Sequence, residues 1–289
     1  MEAQSAAKAA FDRIAQLNDI LSDYDPDSEL SQLSRTSGSG QKIKLSNDLW
    51  LVLQRAQDLS ERSRGAFDVT VGPYVNLWRK ARREKRMPDS DRLAEARKAV
   101  GYNHLRLDSK SHTAELLVPN MRLDLGSIAK GYAVDEGMRV LRQAGIHSAL
   151  VAGAGDLAVS DPPPGKNGWR IEIAPLDAPD APAKKFVLLK NVALGTSGDL
   201  FQRLEIDGKR YSHIVDPHTG IGLTDHSLVN AIAKDCITAN TLATTASVLG
   251  PEKGLTLASK TPHAEIRILR KPNDTIEEFE SGGFKKFYE

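Results

Sequence analysis

Four short segments hold the residues best suited to chemistry. In HIVDPHTG, residues 213–220, two histidines and an aspartate fall within six residues of a turn-rich stretch. Imidazole changes charge near neutral pH and suits proton transfer. Loops held by a scaffold are where such groups collect. A structural histidine is the competing reading of His213. In TANTLATTASVLG, residues 238–250, Asn240 and Thr244 stand one helical turn apart and share a face. Their side-chain oxygens suit one hard cation, with carbonyl oxygens and water completing the shell. A small-residue helix packed closely against a sheet is the plainer reading.

In DLGSIAKGYAVD, residues 124–135, a glycine at the entry to a helix lets a ligand approach the backbone. Free N–H groups there favour anions, and Lys130 adds a cation. Asp124 is either a cap of that helix or a ligand contact. Neither the GxGxxG dinucleotide fingerprint nor a Walker sequence occurs. In GAFDVTVGP, residues 65–73, Phe67 offers a ring for a flat ligand and Asp68 an acceptor for a ring or ribose donor. A strand entry between two turns explains the same pattern without a ligand.

The elements that must carry these segments are partly legible. Ala7, Ala10, Phe11, Ile14, Leu17 and Leu21 recur at three- and four-residue steps and predict an opening amphipathic helix. Ser28 and Ser46 are N-caps for the next two helices, the second ending at Gly65, and Asp89-Ser90-Asp91 opens another that ends at Gly101. FDVTV predicts a strand broken by Gly72-Pro73. HLRLD, TAELLV, the start of MRLDLG, LVAGAGD and WRIEIAPL predict further strands. LDAPDAPAKK reads as a loop near 177–185. FVLLKNVALGTSG predicts a strand running into a tight turn, and LEIDGKRYSHIV a hairpin turned by Asp207-Gly208. HSLVNAIAKD is strand-like, CITANTLATTASVLG helical, and AEIRILR a closing strand. Paired strands without regular strand-helix alternation predict an α+β fold.

Composition narrows the function classes. With 39 Lys+Arg against 38 Asp+Glu in 289 residues, the net charge of +1 supplies no field for gathering polyanions. The basic run 79–86 is followed by acidic residues and reads as a solvated helix face or loop. No stretch approaches the roughly 18 apolar residues of a membrane helix. The single cysteine, Cys236, excludes an internal disulfide framework and a cysteine-rich zinc site. The first residues lack a secretory signal, which fits a cytoplasmic protein or a segment that follows a removed signal.

Taken in order, YDPDSELSQLS, GAFDVTVGPYVNLW, MRLDLGSIAKGYAVD, GTSGDLFQRLEIDGKRYSHIVDPHTG and ATTASVLGPEKGL resemble the ApbE family over nearly the whole chain. The resemblance implies one catalytic domain over 1–289, built of two interleaved α+β subdomains of mixed or antiparallel sheets flanked by helices, with the active site in a cleft between them. It implies magnesium-dependent transfer of FMN from FAD to a threonine of a target flavoprotein, with release of AMP. Position by position, Ser31, Ala66, Phe67, Asp68, Asp124, Lys130 and Val215 match flavin- or FAD-contacting positions. Ser127, Asn240, Ala243 and Thr244 match the metal ligands, and His213 the catalytic base. The implied partner is an electron-transfer subunit with a Ser/Thr-Gly-Ala-Ser/Thr-type motif. An FAD pyrophosphatase and a weakly catalytic FAD-binding protein remain as alternatives.

Two departures stand out. The family's metal helix carries Asp where this chain has Asn240, which predicts weaker cation binding because magnesium prefers carboxylates. The family generally opens with an MGTTW-type strand, so a start upstream of this one is expected. A periplasmic or cell-surface home, with a lipid anchor in the full-length precursor, is the expected location.

Overall fold

A computed structural model describes residues 3–176, 185–200 and 202–289. The expected loop near 177–185 lies, apart from Lys185, outside the described residues. The chain begins with α1 (Ala3–Leu21), α2 (Glu29–Arg35), β1 (Ile43–Lys44), α3 (Asn47–Arg62), α4 (Gly72–Glu84) and α5 (Ser90–Arg97). Next come β2 (Leu105–Asp108), β3 (Thr113–Leu116), α6 (Ala129–Gln143), β4 (Leu150–Gly153), β5 (Asp156–Val159), β6 (Trp169–Ile173) and β7 (Lys185–Leu189). They are followed by β8 (Val192–Gly198), β9 (Arg203–Ile206), β10 (Lys209–Ser212), β11 (Ser227–Ala233), α7 (Cys236–Ser259), β12 (Glu265–Arg270) and β13 (Glu277–Glu280). The fold is α+β with antiparallel ladders.

Two compact units form from interleaved segments: residues up to 16 with 127–200 and 225–289, and residues 17–126 with 201–224. In the first, the sheet unit, six strands lie in the order β13-β12-β11-β8-β5-β4. Helices α6 and α7 pack on this sheet and on each other. Close approach explains the small residues: a Cβ on Gly195 of β8 would sit 2.4 Å from the carbonyl carbon of Ala239 on α7. A Cβ on Gly131 of α6 would come equally near the Cys236 carbonyl oxygen, at 2.4 Å. Strand side chains alternate between faces, so Leu194 and Ile232, paired in register, point away from α7. There they join Val159, Ile173, Val187, Leu189 and Phe284 in a buried cluster, each such side chain contributing about 1.5–3 kcal/mol by burial.

The second, helical unit is organised by local capping. Ser28 Oγ accepts from Ser31 N at 3.1 Å, Ser46 Oγ from Leu49 N at 3.3 Å, and Asp89 Oδ1 from Arg92 N at 3.0 Å. Helix α3 buries Leu49, Val52, Leu53, Ala56 and Leu59 on one face, as its spacing predicts. Tyr74, Trp78 and Ala81 of α4 pack on Leu204 and Val215. The Trp78 indole donates to the Gly220 carbonyl at 2.8 Å.

Several sequence expectations are corrected. FDVTV is not a strand: Asp68 Oδ1 accepts from both the Thr70 backbone (2.8 Å) and its hydroxyl (2.7 Å), curling the segment into a turn. Gly72-Pro73 starts α4 rather than breaking a strand, because proline fits the first helical turn, where its missing N–H is not needed. MRLDLG contributes only one isolated bridge, Arg122 to Val71. LVAGAGD is two strands, β4 and the start of β5, turned at Ala154 and Gly155 with φ of 51° and 92°. FVLLKNVALGTSG is likewise two strands, and GTSG lies inside β8 rather than in a turn. Helix α7 continues past Gly250, where φ is 73° and Pro251 restarts the helical run.

Candidate active site

A buried polar cluster of the sheet unit surrounds Asp156, the first residue of β5. Its carboxylate is 0% exposed and accepts three donors. Thr196 N on β8 donates to Oδ1 at 3.0 Å, Asn240 Nδ2 on α7 donates to Oδ2 at 3.0 Å, and Lys130 Nζ on α6 lies 3.1 Å from Oδ2. Burial pushes the Asp156 carboxyl above the usual carboxylate range, against the pull of Lys130 and the Thr196 and Asn240 donors.

Asn240 itself is buried, and its Oδ1 has no hydrogen-bond partner among the described residues. An orphaned buried acceptor costs about 1–3 kcal/mol, so this oxygen has room for a donor, a water or a cation. Thr244, one turn on, is half-buried, and its hydroxyl donates to the Asn240 carbonyl at 3.2 Å, which keeps acceptor capacity on Oγ1. Ala243 is buried and has no side-chain donor, so only its carbonyl, which also accepts from the Ser247 hydroxyl at 3.0 Å, has ligand chemistry. The Ser127 carbonyl lies two residues before α6. Among the described residues no group of three or more His, Cys, Asp or Glu gathers to hold a metal. The donors are neutral oxygens, the set a hard cation such as magnesium accepts. The orphaned Oδ1 fits that ion.

Asp235 does not substitute for Asn240: it caps α7, accepting from Thr238 N at 3.0 Å. The α7 start is also held by Asp135 of α6, whose two oxygens accept from Cys236 N and Ile237 N, each at 2.8 Å. Burial pushes the Cys236 thiol well up, helped by Asp135, Asp156 and Asp235, which makes it a packing residue rather than a nucleophile.

In the helical unit, His213 is half-exposed just after β10. Its Nδ1 lies 3.1 Å from the Gln202 carbonyl, which only accepts. The ring proton therefore sits on Nδ1, and Nε2 is the acceptor nitrogen of the neutral imidazole. The Asp216 carboxylate is spent on the loop. Asp216 accepts from His218 N at 2.9 Å and from the Thr219 hydroxyl at 3.1 Å. Val215 is buried against Tyr74 and Trp78.

Asp124 is no cap: α6 begins after Ile128, without a side-chain cap, while Asp124 accepts from Gly126 N at 2.9 Å and pairs with Arg79 at 3.1 Å. Burial raises its carboxyl, and the charge of Asp23 adds to this, against Gly126, Arg79 and Arg122. Burial likewise raises Asp68, against the Thr70 donors. Phe67 is only 2% exposed, and its N–H donates to Ser63 Oγ at 3.0 Å. Its ring is part of the core and has no face open for stacking, contrary to the expectation from its type. Ala66 is buried beside it, and Ser31 is half-buried on α2. The structure thus brings Lys130 and Asn240 to one carboxylate and keeps Ala243 and Thr244 on the following turn. Within the helical unit Ser31 belongs to a different element from 66–68 and from 213–215.

A profile of the ApbE family matches residues 1–268. The chain belongs to the ApbE family. The FAD:protein FMN transferase of Haemophilus influenzae is 33% identical over 96% of this chain and 81% of its own length. That of Escherichia coli K12 is 31% identical over 93% of this chain and 77% of its own length. Among solved structures, the flavin transferase ApbE of Vibrio cholerae superposes with TM-score 0.89 at 31% identity, covering 99% of this chain and 91% of the other. The ApbE protein of Thermotoga maritima superposes at 0.88 with 27% identity, covering 99% and 92%.

Within this ApbE-family chain, two groups escape sequence reading. Asp156 hides in LVAGAGD, which reads as a single strand; the Gly-Ala-Gly turn ahead of an acid is the signal that exposes it in retrospect. Arg79, partner of Asp124, lies in the basic run that reads as solvated, yet its side chain is 17% exposed. Burial pulls its guanidinium down, but Asp23 and Asp124 outweigh this and hold it above the usual value.

Proposed function

We propose that this chain transfers FMN from FAD to a threonine hydroxyl of a flavoprotein acceptor, with magnesium bound, and releases AMP. The likeness, over 96% and 93% of this chain, to two proteins named FAD:protein FMN transferase carries the reading. The proposed roles follow the chemistry of each residue. His213, with its proton fixed on Nδ1 by Gln202, receives the threonine proton at Nε2 as the hydroxyl oxygen attacks the FMN-side phosphorus. That new P–O bond forms while the bond from phosphorus to the AMP-side bridging oxygen breaks, and AMP leaves with that oxygen. Asn240 Oδ1, Thr244 Oγ1 and the carbonyls of Ser127 and Ala243 hold the magnesium, which when bound neutralises charge on the pyrophosphate.

Lys130, 39% exposed at its side chain while tied to Asp156, offers positive charge to a phosphate. The uncapped first turn of α6 offers N–H groups to the same kind of ligand. Ser31, Ala66, Asp68, Asp124 and Val215 are the proposed flavin and FAD contacts, with Phe67 acting through its backbone position. The proposed acceptor carries a Ser/Thr-Gly-Ala-Ser/Thr-type motif, and the proposed home is periplasmic or at the cell surface. No helix among the described residues is long and apolar enough to cross a membrane.

The test is to incubate the protein with FAD, magnesium and an acceptor flavodomain and to weigh the acceptor. A mass gain of one FMN is expected. Free FMN and AMP without acceptor labelling would assign a pyrophosphatase instead, and intact FAD throughout would reduce the chain to a binding protein.

A further inference from the structure

We propose that Asp156 is a positioning residue, which fixes the direction of the Asn240 amide so that Oδ1, rather than Nδ2, is presented to a cation. The inference rests on the cation of the proposed transferase and deepens it.

An asparagine amide has nearly the same shape either way round, so its direction is set by its neighbours. Asp156 supplies a decisive one. An ionised carboxylate only accepts, so the amide atom 3.0 Å from its Oδ2 is the nitrogen. The carboxylate is held rigidly on both oxygens, by Thr196 N on Oδ1 and by Lys130 on Oδ2. The remaining end of the amide, Oδ1, is buried and has no partner among the described residues. A neighbour that consumes one end of an amide while the other end stays orphaned is the arrangement expected where that oxygen serves a bound ion.

This pairing also gives a physical account of an asparagine, rather than an aspartate, at position 240. Asn240 both donates to Asp156 and retains an oxygen for the ion. An aspartate there would set two acceptor-only groups 3.0 Å apart in the ion-free protein. Asn240 is then an oriented ligand whose direction depends on a residue of another strand.

The geometry predicts an inversion. In Asp156→Asn, the fixed backbone N–H of Thr196 holds the amide oxygen of the new side chain at the Oδ1 position. Lys130, 39% exposed and on a flexible stem, gives up its contact at Oδ2 and turns to solvent. The nitrogen of the new amide then falls at the Oδ2 position and donates to Asn240, which must turn its own oxygen inward and its N–H groups toward the ion. Adding Asn240→Asp restores an acceptor to residue 240. Its carboxylate accepts from the amide at 156 with one oxygen and presents the other outward.

The experiment measures Mn2+ binding without FAD, from the electron paramagnetic resonance signal of free Mn2+, alongside thermal melting. Asp156→Asn is expected to weaken Mn2+ binding at least tenfold, and Asp156→Asn/Asn240→Asp to return it to within threefold of the parent or tighter. A merely structural role for Asp156 predicts a lower melting temperature with Mn2+ affinity unmoved. Affinity within twofold of the parent in Asp156→Asn would overturn the proposal. So would a double variant no tighter than Asp156→Asn, or a parent that binds no Mn2+ at millimolar concentration. Acceptor mass gain, measured separately on the parent, judges the transferase reading. A parent that binds Mn2+ but never labels an acceptor sinks that reading and leaves the Mn2+ comparison to decide this one.

Discussion

Gly195→Ala tests the seating of α7 directly. The added Cβ would lie 2.4 Å from the Ala239 carbonyl carbon, 2.5 Å from its oxygen and 2.6 Å from Asn240 N. Carbon atoms rest at about 3.5–4.0 Å, so β8 and α7 must separate by roughly 1 Å. All three obstructing atoms are backbone, and no side-chain rotation relieves them. Overpacking of this kind costs about 1–3 kcal/mol. At about 2–4 °C per kcal/mol for a chain of this size, the melting temperature falls by roughly 2–12 °C. Because the shift lands on Asn240, a misplacement of about 1 Å also lowers transfer by up to roughly 100-fold. The assay pairs melting by circular dichroism with single-turnover labelling of an acceptor. Gly282→Ala, with nothing within 4 Å of the added carbon, is the control. If Gly195→Ala melts and labels like that control, the close helix-strand contact does not set the position of Asn240.

Three further outcomes are expected. His213→Ala lowers acceptor labelling by about 100- to 10,000-fold, as for loss of a general base, while FAD affinity from flavin fluorescence stays within a few-fold of the parent. Arg79→Ala strands the buried Asp124 carboxylate and costs about 3 kcal/mol or more. The raised Asp124 carboxyl holds its proton more tightly in the folded chain, so stability falls as pH rises from the ordinary carboxylate value through the folded one. Urea melts of this variant should show a deficit that grows with pH across that window. Glu278 behaves oppositely: burial opposes its ionisation, but Lys185 and Arg267 outweigh this and hold its pKa at about 2, below its ordinary 4.5. Its contribution is present above pH 4.5 and fades as pH falls toward 2, so Glu278→Gln should flatten the acid limb of stability in that window, read by urea melts.

Much of the chain could be read from its residues because the deciding physics is local. A cap needs a side chain within three residues of the N–H it serves, so Ser28, Ser46 and Asp89 are visible in sequence. Asp207-Gly208 turns its hairpin with φ of 50° and 72°, values that these residue types tolerate. The run after Cys236 predicts a helix, and Asn240 and Thr244 do fall on successive turns of it. The ordered motifs likewise suffice to place the chain in its family.

What only the tertiary structure decided depends on partners far apart in sequence. Asp156 meets Asn240 across 84 positions, and Arg79 meets Asp124 across 45. Apart from the Gly-Ala-Gly turn before Asp156, nothing within a few residues distinguishes Asp156, Arg79 and Asp124 from solvated charges; their burial arises from the packing of β5, β8, α6 and α7 in one unit and of the α4 region in the other. The same holds for Phe67, whose ring joins the core instead of facing a ligand. Short-range hydrogen bonds and steric preferences are written in neighbouring residues, whereas the desolvation and pairing of a charge exist only once distant segments have closed around it.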